Sequence, residues 1–177
     1  MDSGDIFQLF FLLILLLLSA FFSSSETALT TVNRIRLRSL AEEGDNRAAT
    51  VLKVTDDSGK MLSAILIGNN IVNLSASSIA TSLAIKLWGS VGAGVATGIL
   101  TFLILIFGEI TPKTLATINA EKIALKHAGT IAFLMKILTP IIFIVNKFSL
   151  GFLLLLRVNP DEASTQMTEQ ELRTIVD

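Results

Sequence analysis

Cysteine is absent from this 177-residue sequence, and histidine occurs once, as His127. These absences exclude a disulfide framework, a thiol nucleophile and a Cys-based metal site, and they argue against zinc, which usually takes several Cys or His ligands. The sequence also lacks the HExxH and GxSxG signatures and an intramembrane pair of aspartates, so we do not expect an enzyme. Charged residues are scarce, at 16%, and the net charge of −1 indicates no nucleic-acid partner.

The sequence is rich in long apolar stretches. Hydrophobic residues make up 51% of the chain, and the mean hydropathy is +0.69. Apolar stretches at about 6–25, 61–86, 91–112 (continuing towards Ala116) and 128–156 are long enough to cross a bilayer, which takes roughly 20 helical residues. The sequence therefore predicts an all-α membrane protein.

The first apolar stretch has some features of a signal peptide, but the residues before it contradict that interpretation. Asp2 and Asp5 precede it and no basic residue does, which is the reverse of the charge bias of a signal peptide. We therefore interpret it as a retained transmembrane helix.

Basic residues indicate the orientation of the chain in the membrane. The segment after the first stretch carries six of them, namely Arg34, Arg36, Arg38, Arg47, Lys53 and Lys60. Cytoplasmic loops hold the excess of Lys and Arg, so we expect short cytoplasmic helices here and the N-terminus outside. The second stretch then leaves the cytoplasm, turns at residues 87–90, and the third returns to a basic loop that contains His127 as a solvated residue.

The fourth apolar stretch is ambiguous from its residues alone. Lys136, Pro140, Lys147 and Gly151 follow helical spacing and form a narrow polar stripe. A helix lying in the membrane interface would let both lysines snorkel to the headgroups. A fourth crossing, which would place the acidic C-terminus outside, is the alternative.

Glu109 is the strongest functional clue in the sequence. It follows a long apolar run, and a charge inside a membrane segment is a functional-site hypothesis by default. Pro112 has no amide N–H to bond the carbonyl of Gly108, four residues earlier. A carboxylate and a free carbonyl are therefore neighbours, and a cation that prefers oxygen ligands could use both. The competing interpretation is an ion pair of Glu109 with Lys113, with Pro112 as a plain kink.

Neutral oxygen donors occur in the first two stretches. Asn69 and Asn73 are four residues apart and share a helix face, and three serines close the first stretch at residues 23–25. Asparagine oxygens suit a hard cation, although interhelical hydrogen bonds are the common use of Asn in membranes. One carboxylate among neutral oxygens favours Mg²⁺, which uses few carboxylates. A Na⁺ site would look similar.

Three strings carry a family resemblance: FSSSETAL at 22–29, GNNIVN at 68–73 and GEITPK at 108–113. In this order, one per helix, they resemble the CorC and cyclin-M (CNNM) family of magnesium transporters. The resemblance implies three transmembrane helices with a juxtamembrane belt helix, which favours the interfacial interpretation of the fourth stretch. Ser24 departs from relatives that have glycine there, which could alter local packing.

The resemblance also implies a site, an activity and partners. The Mg²⁺ ligands would be Ser23, Asn73, the carbonyl of Gly108 and Glu109, with Asn69 less certain. The activity would be Na⁺-coupled Mg²⁺ efflux by alternating access, in a homodimer surrounded by lipid. A membrane-embedded Mg²⁺ sensor that regulates other transporters is the alternative.

The domain organisation follows from the same resemblance. We expect a transmembrane domain at 1–158 and the start of a linker at 159–177, leading to a cytoplasmic CBS-pair domain that this chain does not contain. A capping box at 168–171 predicts that a helix begins in this tail. Gly94 and Gly98 form a GxxxG spacing that suits either packing within the chain or a dimer.

Overall fold

A computed structural model describes residues 3–156, and every element in that range is a helix. In chain order these are α1 Ser3–Thr31, α2 Arg34–Glu42, α3 Asn46–Asp56, α4 Ser58–Leu103, a π-helix Ile104–Ile110, α5 Thr111–Ile118, α6 Ala120–Ile137 and α7 Thr139–Leu155. The chain divides into two units, residues 1–137 and 138–177, and only α7 of the described helices lies in the second. The predicted all-α class is confirmed. The predicted linker and its helix start lie outside the described residues.

Within residues 3–156, two continuous runs of helix are long and apolar enough to cross a membrane, Ser3–Thr31 and Ser58–Ile118. The second run is broken at Gly89, where φ is 70° and ψ is −162°. Glycine adopts this backbone conformation without the steric cost that a Cβ brings. The break lies in the predicted turn at 87–90, and it divides the run into a first leg (58–88) and a second leg (90–118). With α1, these legs are the three predicted crossings.

The two legs fold back beside each other and both pack on α1. Close to the turn, a Cβ built on Gly92 would lie 2.6 Å from the carbonyl oxygen of Ala84. Farther along, Ser19 of α1 contacts Asn69 on the first leg and lies against Gly108 on the second. The middle of α1 therefore faces both legs at one level of the bundle.

The short helices predicted between the first two crossings are present as α2 and α3. Each has a side-chain cap: Asn33 accepts hydrogen bonds from the first amides of α2, and Asp45 accepts them from the first amides of α3. Such caps satisfy amides that have no partner inside the helix. The Arg47 side chain and, to a smaller extent, the Arg47 amide donate hydrogen bonds that lower the pKa of Asp45. They therefore favour the charged form of this capping carboxylate.

Two details predicted for this part of the chain are wrong: the loop before the fourth apolar stretch, and the single helix over that stretch. The basic segment is helical, because α6 begins at Ala120 and already contains His127. A break at Leu138 then separates α6 from α7, with Pro140 in the first turn of α7, where its missing amide costs nothing. The predicted polar stripe is therefore divided between two helices. Within the first unit, α6 packs on α1, α3 and α4.

Large apolar side chains on the outer faces of α1 and both legs are exposed, as a lipid-facing surface requires. Phe7 is 69% exposed and Leu74 is 71% exposed. Lipid supplies no hydrophobic force between helices, so membrane bundles depend on small residues that permit close packing. Gly68 is one of them, because a Cβ there would lie 2.5 Å from the Phe22 ring. That ring is 6% exposed and has little room to move.

We expect Gly68→Ala to destabilise the protein by about 1–3 kcal/mol, the usual cost of overpacking a filled core. Thermal unfolding in detergent measures it. Gly129→Ala is the matched control, because it is also a helical position and has nothing within 4 Å of an added Cβ. The control should be neutral or slightly stabilising. Equal melting temperatures for the two variants would contradict the proposed contact with Phe22.

Candidate functional site

Three segments meet in the middle of the bundle: residues 19–25 of α1, the Asn-rich part of the first leg, and the π-helix of the second leg. Ser19, fully buried, joins them. Its hydroxyl lies 3.4 Å from Oδ1 of Asn69. On its other side, a Cβ built on Gly108 would lie 2.8 Å from the same hydroxyl. Only a glycine at 108 allows this close approach.

Two buried oxygens on these segments lack a hydrogen-bond partner in the described part of the chain. Among the described residues, three buried side-chain oxygens lack one: Gln8 Oε1, Ser23 Oγ and Asn73 Oδ1. Ser23 is 1% exposed, one helical turn beyond Ser19. Leaving a buried acceptor unsatisfied costs about 1–3 kcal/mol, so each such group requires an explanation, of which a bound ion is one. Ser23 and Asn73 are two of the ligands that the sequence predicts.

Glu109 lies in the π-helix Ile104–Ile110 and is partly buried. It forms no ion pair with any residue between 3 and 156. The competing interpretation paired it with Lys113, but the Nζ atom of Lys113 lies 3.3 Å from Oε2 of Glu26 on α1. Glu26 and Lys113 thus join α1 to α5, and the Glu109 carboxylate is left for another partner.

The π-helix was not predicted from the sequence, and it changes the account of Pro112. The amide of Thr111 donates to the carbonyl of Ile106, five residues earlier, as a π-helix requires. Continued in that register, the amide that Pro112 lacks would bond Phe107, whereas in the α register it would bond Gly108. The proline therefore removes the one donor that could bond either the Phe107 or the Gly108 carbonyl. Short π segments recur at functional sites.

The prediction that His127 is a solvated loop residue is wrong. Its Nδ1 lies 2.9 Å from Ser25 Oγ, and its ring centroid is 4.6 Å from that of Phe21. The single proton of the Ser25 hydroxyl goes to the Phe21 carbonyl, 2.6 Å away. Nδ1 is therefore the donor to Ser25, and His127 fastens α6 to the end of α1.

Ser19 was also missed as part of the site. The oxygen donors predicted on α1 were the serines at 23–25 alone. The signal that could have found it is its spacing of four residues from Ser23, which places both hydroxyls on one face of α1.

Comparison with known proteins assigns the family. Residues 10–177 match the cyclin M transmembrane N-terminal domain. The chain belongs to this family. A UPF0053 protein of Haemophilus influenzae is 41% identical over 152 residues, and the UPF0053 inner membrane protein YfjD of Escherichia coli is 37% identical over 153 residues; each match covers 86% of this chain and 36% of the relative. A polyamine export protein of H. influenzae is 28% identical over 166 residues, covering 86% of this chain and 38% of that protein.

Membership of the cyclin M family confirms the resemblance found in the three sequence strings. Together with the apolar helices and the inner membrane relative, it establishes a multi-pass membrane protein. The chain spans about a third of the length of the relatives it matches.

The donor set of this cyclin M domain is chemically narrow. Between residues 3 and 156, no three His, Cys, Asp or Glu side chains lie close enough to hold a metal ion together. A cation bound by these three segments would therefore depend on the hydroxyl of Ser23, the amide oxygen of Asn73, backbone carbonyls and the single carboxylate of Glu109. Hard cations accept such oxygen ligands, and Mg²⁺ keeps several of its waters when bound by one or two carboxylates.

Proposed function

We propose that this chain is the membrane domain of a Mg²⁺ transporter that exports the ion in exchange for Na⁺. The ion would be held by Ser23, Asn73, the Gly108 carbonyl and Glu109, with Asn69 nearby. The observation that supports this most directly is the pair of buried oxygens, Ser23 Oγ and Asn73 Oδ1, that have no hydrogen-bond partner among the described residues.

Each donor has a separate task in this proposal. The Glu109 carboxylate supplies the one full negative charge, which offsets part of the cost of taking Mg²⁺ out of water. Ser23 and Asn73 replace water oxygens without adding charge. Because these donors lie on α1 and on both legs, a relative movement of the three helices would open or close the site. That is the requirement for alternating access.

The orientation and assembly are part of the proposal. The basic residues of α2 and α3 support a cytoplasmic position for that side and an outside N-terminus. Gly94 and Gly98 have nothing within 4 Å of an added Cβ, so their face is open to a second copy in a homodimer. In a longer protein, a CBS-pair domain would follow residue 177. We propose no enzymatic activity.

Two alternatives differ in what the site does with its ion. A Mg²⁺ sensor would bind the ion in the same donors and produce no flux. A polyamine is a second candidate cargo, since one relative is named a polyamine export protein. Ammonium groups would donate hydrogen bonds to the same oxygens. Unlike Mg²⁺, they do not require a desolvated carboxylate and a carbonyl in one coordination shell.

We expect Mg²⁺ to raise the melting temperature of the purified protein saturably, and a Mg²⁺ gradient to drive flux in liposomes. Thermal shift measures the binding, and a Mg²⁺-sensitive dye inside the liposomes measures the flux, with and without an opposing Na⁺ gradient. Saturable binding without flux would favour the sensor. Stabilisation by a diamine and none by Mg²⁺ would favour polyamine export and contradict the proposed cargo.

A further inference from the structure

A groove of about 610 Å³ lies between α1, the second leg and α6. Its walls are mainly apolar, formed by Leu17, Phe21, Phe107, Leu115 and Ile123. The α1 and second-leg walls belong to membrane-spanning helices. The groove therefore begins in the hydrocarbon region, and a molecule that fills it there must present apolar surface.

The other end of the groove is basic. Lys122 and Lys126 are four residues apart on α6, so they extend from one face of the helix, and both are exposed. Neither forms an ion pair with a residue between 3 and 156. The nearby acids are already engaged, since Glu121 pairs with Arg36 and Glu26 pairs with Lys113.

A second cavity, of about 750 Å³, lies on the neighbouring face of α6 and shares both lysines. Arg47 of α3 lines it too, beside Thr50. The two lysines thus lie between an apolar groove and a cavity that has a third basic residue, Arg47, in its wall. An occupant that fits both needs an apolar chain on one side and an anionic group on the other.

We propose that this groove binds an anionic phospholipid. The acyl chain would lie along the apolar wall, and the phosphate would lie between Lys122 and Lys126. A zwitterionic lipid carries its own ammonium group and gains less from the two lysines. Basic pockets between membrane helices are suited to anionic headgroups. None of the proposed cation donors lines the groove, so the lipid proposal does not depend on what the protein transports.

The experiment needs a reporter inside the groove. Leu115 is 51% exposed, so Leu115→Trp fits there, and Trp88→Phe removes the one native tryptophan, which lies at the far turn. The full chain is reconstituted in vesicles of phosphatidylcholine that contain either brominated phosphatidylglycerol or brominated phosphatidylcholine. Bromine quenches tryptophan on contact. The reporter control is Phe102→Trp. Phe102 is 64% exposed, lies on the same leg and does not line the groove.

We expect the reporter at 115 to be quenched preferentially by phosphatidylglycerol, and the reporter at 102 to be quenched equally by both lipids. Replacing Lys122 and Lys126 together by alanine should reduce the preference about 25-fold, because each lysine near an anionic surface contributes about fivefold. Lys122→Arg with Lys126→Arg keeps the charge and should keep the preference. The matched control, Lys53→Ala with Lys60→Ala, removes the same charge elsewhere and should leave the preference intact.

Four results would overturn the proposal. Equal quenching by the two lipids at 115 would show no anionic preference. An equal loss from both lysine pairs would reduce the effect to diffuse surface charge. Loss of the preference in excess inorganic phosphate would indicate a site for the free anion without a lipid chain. Protection of the 115 reporter from both lipids, in a protein of dimeric mass, would show that a second copy covers the groove.

Discussion

Glu109→Gln is expected to weaken Mg²⁺ binding at least about 100-fold, since loss of outer-shell partners alone costs about 10–100-fold in metal affinity. The substitution keeps the shape of the side chain and removes the only carboxylate among the proposed ligands. Calorimetric titration of the purified protein measures the affinity. Helix stability should change little, because Glu109 forms no ion pair with any described residue.

Glu26→Gln is the matched control for that experiment. Glu26 is a glutamate on α1 that pairs with Lys113, and both side chains are nearly half exposed. Such pairs contribute about 0–1 kcal/mol, so its loss should leave Mg²⁺ affinity within about fivefold. If Glu109→Gln and Glu26→Gln bind Mg²⁺ alike, the site is not where we propose it.

Pro112→Ala is expected to raise thermal stability and lower Mg²⁺ affinity at the same time. Alanine restores an amide and is a far better helix former than proline. If that amide bonds the Gly108 carbonyl, the carbonyl is lost to the ion. The net worth of such a hydrogen bond is about 0.5–1.5 kcal/mol, so affinity should fall about two- to tenfold. Thermal unfolding and calorimetry on one preparation measure both.

Pro140→Ala makes the same change in the first turn of α7, where no amide is needed. It should leave Mg²⁺ affinity unchanged. A Pro112→Ala protein that is more stable and binds Mg²⁺ as tightly as the parent would mean that the new amide continues the π register to Phe107. That result would contradict the proposal that the Gly108 carbonyl binds the ion.

Much of the fold follows from the linear pattern, because the bilayer restricts what a chain can do. Apolar stretches of spanning length must be helices that satisfy their own backbone groups, and the glycine at 89 marks the turn between two of them. The polar segment with Asn33 and Asp45 carries helix-capping chemistry in its sequence. The boundary between α6 and α7 could not be read in the same way, because an apolar run with one proline is compatible with a kink, a break or a first turn.

The candidate site was predictable as a list of oxygen donors and less so as an arrangement. Spacing places Asn69 and Asn73 on one face, and the intramembrane glutamate is conspicuous. The π register around Glu109 was not predictable, since one extra residue per turn has no compositional signal. Nor was the choice of partner for Lys113, which is decided by whichever carboxylate the packing brings within reach.

The sequence by itself determined the class of the protein, the position of its crossings and the chemical type of its donors, because hydrophobic length, glycine and side-chain oxygens act locally. Only the tertiary structure decided which polar groups are satisfied. Ser25 is hydrogen-bonded to Phe21 and His127, and Lys113 is paired with Glu26. Ser23 and Asn73, in contrast, keep buried oxygens that have no hydrogen-bond partner between residues 3 and 156. Satisfaction depends on neighbours from distant parts of the chain, and the packing of α1 against both legs and α6 determines which neighbours those are.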